Sequence, residues 1–267
     1  MVALPEIAAD LAAECAALDE RVAGIEPDGW SIPTPAEGWA VRDQISHLAY
    51  FDGKAVLALT NPDAFAAHVD ADADALSAGA AADTPDVTLG RTVPPAELLA
   101  DWRAGRIALL DALGGVDPAG RVPWYGPAMS PASFVTARIM ETWAHGQDVA
   151  DALGLAPVVS DRLRHVIFLG WRARPYAFAV RHVEDPGTPV AVEATAPDGS
   201  RWVWGERSAR ERITGPALDL ALVFTRRRHP DDTAVVAEGP AATAWLAIAQ
   251  AFAGGPGPGR PPLGAAR

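Results

Sequence analysis

Cysteine is almost absent from the 267 residues: Cys15 stands alone, so no internal disulfide is available, and its place in an apolar helix stripe predicts a small core side chain. Lysine is as scarce, with Lys54 the only one among 22 basic residues against 34 acidic ones. The resulting formal charge of −12 argues against a nucleic-acid backbone as partner. No apolar run reaches the roughly eighteen residues of a membrane span. The opening stretch, MVALPEIAADLAAECAALDERV, has no cationic leader and carries Glu6 and Asp10, which predicts a mature helix and a cytoplasmic protein. There is no nucleophile elbow, P-loop or dinucleotide fingerprint either, so phosphate-cradling glycine loops are not indicated.

What is present is a globular balance, 49% hydrophobic and 21% charged, arranged in two regions of different character. Residues 1–155 read as a four-helix bundle. The first helix runs from about Pro5 to Val22, with Ile7, Leu11, Cys15, Leu18 and Val22 at helical spacing. The second covers Val41 to Leu59, and a polar stretch from Thr60 to Thr92 follows. The third starts at PPAELLADWRAGRIALLDAL, with Leu98, Leu99, Trp102, Ile107, Leu110 and Leu113 as its expected core face. Ser130 and Pro131 announce the fourth helix as N-cap and first helical residue, and Gly154 ends it.

Residues 156–253 mix helix and strand, which predicts a small α+β domain and an α+β protein overall. PVAVEA and RWVWGE flank the turn signal Pro197-Asp198-Gly199-Ser200 and read as a hairpin. GPALDLALVF reads as helix, DTAVVAEG as strand and PAATAWLAIAQAFAG as a closing helix. Residues 254–267, rich in Gly and Pro, are expected to be poorly ordered.

Chemistry concentrates in two helices. Glu141 and His145 stand at i and i+4 in METWAHGQDV, one turn apart on one face, and Asp148 extends it. His47 lies between Ile45 and Leu48 among apolar neighbours in the second helix. Two imidazoles and a carboxylate form a set that suits zinc with one position left open, and other divalent metals tolerate the same ligands. A buried His–Glu ion pair is the alternative. His68 sits near Asp70, Asp72 and Asp74, but Ala75 and Ala81 occupy the places where a calcium loop needs Gly and Glu, so a solvated acidic segment is expected. His165, His182 and His229 are expected at the surface.

GWAVRDQISHLAYFD and ARIMETWAHGQDVADALG together resemble the mycothiol-dependent maleylpyruvate isomerase family, a branch of the DinB-like bundles. The shared pattern is Gly-Trp-x-Val-x-Asp, a His-Leu one turn later, and Glu-x-x-x-His-x-x-Asp on the last bundle helix. The resemblance implies a DinB-like metal-binding bundle at 1–155 with zinc held by His47, Glu141 and His145, and a sterol-carrier-like second domain. It also implies a small-molecule substrate and mycothiol as thiol cosubstrate.

Around that set, Asp43 and Asp148 are placed to orient a ligating imidazole through its second ring nitrogen. Trp124 and Tyr125, just before the fourth helix, are candidates for a pocket wall, and Arg226 in the run Arg226-Arg227-Arg228 for a substrate carboxylate. The reading that follows is an isomerase or thiol transferase in which the metal favours thiolate over thiol. The competing readings are zinc–water chemistry in a hydrolase or hydratase, and a non-catalytic protein whose metal stabilises the bundle.

Overall fold

The computed structural model describes residues 3–77 and 84–264, and divides into two compact units, Met1–Pro157 and Val158–Arg267. Residues 78–83, inside the stretch read above as a polar connection and including Ala81, lie outside the described residues. No helix among the described residues is long and apolar enough to cross a membrane.

The first unit is a DinB-like helical bundle. Helix α1 (Leu4–Val22) buries Ile7, Leu11, Cys15, Leu18 and Val22, the stripe legible in its sequence. Helix α2 (Val41–Thr60) runs through the centre, packing on α5 (Pro95–Leu113) and α6 (Pro131–Leu153). Two further helices, α3 (Pro62–Ser77) and α4 (Pro85–Thr92), occupy the stretch for which periodicity predicted no element. The Asp70–Asp74 run is therefore helix rather than a calcium loop. Ser130 caps α6 by accepting from Ser133 N at 3.2 Å, and Gly154 closes it at φ +66°, a conformation that suits a residue without Cβ. Ile107 departs from expectation: it is 58% exposed, while Leu109 joins Leu98, Leu99, Trp102 and Leu113 in the core. A stripe at 98, 102, 109 and 113 leaves position 107 on the opposite face of the helix.

The second unit carries helices α7 (Leu163–Arg172) and α8 (Arg174–Ala179), then a four-stranded sheet. Its strands are β1 (Val190–Thr195), β2 (Arg201–Trp204), β3 (Glu211–Pro216) and β4 (Val236–Glu238), in the order β2-β1-β3-β4. β1 and β2 form the expected hairpin, with Val192 opposite Trp204 and Gly199 at φ +83° in the turn. β3 pairs parallel to β1 and antiparallel to β4. It went unpredicted because Ile213 is its one buried side chain, too little alternation to announce a strand. Helices α9 (Ala217–Phe224) and α10 (Pro240–Ile248) pack on β3, and α7 packs on α9. His165, expected at the surface, is buried in α7.

Where composition predicts a poorly ordered tail, residues 254–264 bond to this unit. Gly254 O accepts from Tyr176 Oη at 3.0 Å, Pro256 O from Arg181 at 2.7 Å and Gly257 O from Arg226 at 3.1 Å. Backbone carbonyls exposed by a Gly/Pro-rich chain are good acceptors for the arginines that replace lysine in this protein.

Candidate metal centre

The bundle brings together three side chains from two helices. His47 from α2 and Glu141 and His145 from α6 each present one ligand atom, and these atoms lie within 4.8 Å of one another. His145 Nε2 is 3.3 Å from Glu141 Oε2, the one-turn spacing seen in the sequence. The His47 and His145 rings are 4.4 Å apart between centroids. Burial alone would raise the Glu141 carboxyl; the His145 hydrogen bond, then the charges of His145, His47 and Arg138, overcome it and hold the group at about 2. Glu141 is thus an anion at neutral pH, in contact with His145.

Each imidazole is held at its other nitrogen. Asp86 Oδ2 lies 2.7 Å from His47 Nδ1, and Gln44 Oε1 lies 2.5 Å from His145 Nδ1. An acceptor at Nδ1 favours the proton there and so the lone pair on Nε2, the form a metal ligand needs, while at His145 the Glu141 carboxylate competes for the proton from the Nε2 side. Asp86 owes its position to Ser46, whose hydroxyl donates to Asp86 O at 2.5 Å and accepts from Gly90 N at 3.0 Å. Two bonds thereby dock the start of α4 on α2.

Asp43 does not take the place foreseen for it. It accepts from Ala40 N at 2.8 Å, an N-cap role, and from Arg91 Nε at 2.9 Å, while Asp86 backs His47. Asp148 is buried on α6, nearly one turn beyond His145. Phe51 tilts against His47 at 4.6 Å and also meets Trp124 at 6.3 Å and Tyr125 at 5.7 Å. Trp124 further stacks on Phe65 at 5.4 Å, and the Tyr125 hydroxyl lies 3.0 Å from His68 Nε2. These aromatics form one wall beside His47. Trp39 supplies another, its indole stacked on His145 at 5.9 Å and tilted on His47 at 5.3 Å. Arg226 belongs to the second unit, at φ +61° after α9, with Nη2 donating to Gly257 O.

Sequence reasoning missed Asp86, Gln44 and the stacking of Trp39 on His145. Asp86 stands 39 residues from His47 in a stretch without periodicity, so nothing local linked them. Gln44 carried a usable signal: a polar residue three positions before His47, on a face that the helix buries.

Fold and site together describe a DinB-like bundle with a His₂Glu donor cluster, joined to a small α+β unit. A family model described as the mycothiol maleylpyruvate isomerase N-terminal domain matches residues 11–150, and the chain belongs to that family. It is 46% identical over 252 residues to the uncharacterized proteins Rv0036c and MT0041 of two Mycobacterium tuberculosis strains, covering 94% of this chain and 97% of each of those. Among solved structures, the mycothiol-dependent maleylpyruvate isomerase superposes with TM-score 0.58 and a mutant of it with 0.59. Both are 14% identical to this chain, covering 90% of it and 95% of the neighbour. At that identity the likeness establishes the shared fold.

Proposed function

We propose that this protein is a metal-dependent enzyme that uses a small external thiol, such as mycothiol, to isomerise or conjugate an electrophilic unsaturated substrate. The observation that carries the reading is the donor cluster: His47, Glu141 and His145 with ligand atoms within 4.8 Å and both Nδ1 atoms already engaged. Two Nε2 lone pairs and a carboxylate fit a divalent cation, zinc above all, with room for one further ligand. Bound there, such a cation supplies the Lewis acidity that favours thiolate over thiol near neutral pH.

The protein's own residues prepare the site for that chemistry. Asp86 and Gln44 orient the imidazoles, and Glu141 stays ionised through the neutral range. Trp39 and Phe51 place apolar surface against the imidazoles and limit water there. The nucleophile comes from outside, because Cys15 is buried and its thiol is pushed up to about 12, by desolvation first and then by the charge of Asp52. Thiolate sulfur adds to an activated carbon of the substrate and converts the double bond to a single bond. Rotation about that bond and expulsion of the thiolate restore the alkene in its other geometry. The thiol is regenerated, so no oxidant or reductant is consumed.

The family description and the titles of the solved neighbours both point to mycothiol and maleylpyruvate as first probes. Protein purified without added metal should carry about one divalent ion per chain by elemental analysis and should turn over maleylpyruvate only when mycothiol is supplied. Metal-free protein that does not take up zinc would end the reading.

A further inference from the structure

The two imidazoles of the cluster are backed by different chemistry. His47 has a carboxylate, Asp86, which can only accept while ionised. His145 has Gln44, a neutral amide that donates or accepts according to which way it is turned. The orientation is decided one residue further on. Thr34 donates its hydroxyl proton to Trp39 O at 2.9 Å, which leaves Thr34 Oγ1 to accept. Gln44 Nε2 fills that place as donor at 2.9 Å. The amide nitrogen therefore faces Thr34 and the amide oxygen faces His145. With Gln44 Oε1 at 2.5 Å from Nδ1 and Glu141 Oε2 at 3.3 Å from Nε2, the shorter contact favours the proton on Nδ1, with Glu141 the competing acceptor on the other side of the ring. Gln44 is 0% exposed and Thr34 9%, so water competes little for either bond.

We infer that Gln44 and Thr34 are positioning residues that hold His145 in its metal-ready tautomer and tie it to the segment carrying Trp39. That segment reaches His145 by two routes. Trp39 O anchors the Thr34–Gln44 relay, and the Trp39 indole stacks on the His145 ring, with planes 17° apart. Thr34 N also donates to Trp39 O, at 2.8 Å, which fixes the carbonyl that the relay starts from. The indole wall and the ligand nitrogen are thus set by one network.

The inference rests on the metal reading for its purpose, but the tautomer can be read without metal. Long-range ¹H–¹⁵N NMR of the metal-free protein, at a pH where the ring is neutral and with the signal assigned by its loss in His145→Gln, reports which nitrogen carries the proton. Zinc affinity is measured in parallel by chelator competition. The wild type and Gln44→Glu, which keeps an acceptor at Nδ1, should show the Nδ1–H form. Gln44→Leu should shift His145 towards Nε2–H and weaken zinc binding on the order of 10–100-fold, the usual effect of losing such a partner. Thr34→Val, a near-isosteric change, should give a mixed tautomer population, and the His47 tautomer should stay unchanged throughout. A Gln44→Leu or Thr34→Val protein that keeps Nδ1–H at His145 and wild-type zinc affinity would overturn the inference. The expected tautomer pattern in a wild type that binds no zinc would uphold the relay and remove the metal reading instead.

Discussion

His47 and His145 face one another from α2 and α6 with ring centroids 4.4 Å apart and planes tilted by 38°. Two imidazolium cations at that distance would repel strongly, whereas two neutral rings can share one cation. The Glu141 carboxylate completes the donor set and supplies counter-charge for that cation. Purified protein should therefore contain about one divalent ion per chain. Alanine at His47, Glu141 or His145 should sharply reduce it by elemental analysis, and full occupancy in the His47→Ala/His145→Ala double variant would remove the assignment.

Gly90 is the tightest joint behind the site. A Cβ built there would lie 2.4 Å from Ser46 Cβ, so Gly90→Ala must push α4 away from α2. Overpacking of this kind costs roughly 1–3 kcal/mol. The displacement should also draw Asp86 away from His47 and weaken zinc binding in chelator competition. An unchanged melting temperature and unchanged affinity would show that α4 does not depend on this contact.

Beneath Glu141 lies a buried ion pair. Arg138 Nη2 is 2.7 Å from Asp52 Oδ1, with side chains 4% and 3% exposed. Burial raises the Asp52 carboxyl against the lowering effect of Arg138, so an unpaired carboxylate there would be still less tolerable. Removing one partner from such a pair typically costs about 3–5 kcal/mol, while replacing both with apolar groups can be nearly neutral. Denaturant unfolding should show Arg138→Leu strongly destabilised and Arg138→Leu/Asp52→Leu recovering much of the loss. A double variant as unstable as the sum of the singles would contradict the pairing.

Cys15 should be silent towards thiol reagents in the native state. Desolvation, then the charge of Asp52, raises its thiol from 9.0 to about 12, so almost no thiolate exists near neutral pH. The sign is that of a group kept neutral by folding. Its contribution is intact below the unfolded value and is lost as pH rises from about 9 towards about 12. Iodoacetamide should label the protein only after denaturation, and fast native labelling would show that Cys15 is accessible.

Much of the bundle was legible because helical periodicity is a local signal. The stripe of α1, the Ser130 cap and the Gly154 stop each lie within one element, and so does the Glu141–His145 pair. His47 was legible because a histidine between Ile45 and Leu48 must be accounted for in a buried helix face. The partners that orient the imidazoles were harder to see. Asp86 reaches His47 only after α4 docks, and Gln44 turns its oxygen to His145 only because Thr34 occupies its nitrogen. Those are tertiary facts. Asp43 shows the converse, since helix spacing placed it one turn before His47 while Arg91 and the N-cap of α2 claimed its oxygens.

The most direct test of the account is turnover of maleylpyruvate by zinc-loaded protein with and without mycothiol, set beside His145→Ala. On the proposed reading the sulfur nucleophile comes from outside, because the one cysteine is buried and held as thiol. The account predicts turnover that needs the thiol, saturates with it and disappears in His145→Ala. Turnover without thiol that slows when thiol is added would contradict it and assign the site to water-based chemistry instead.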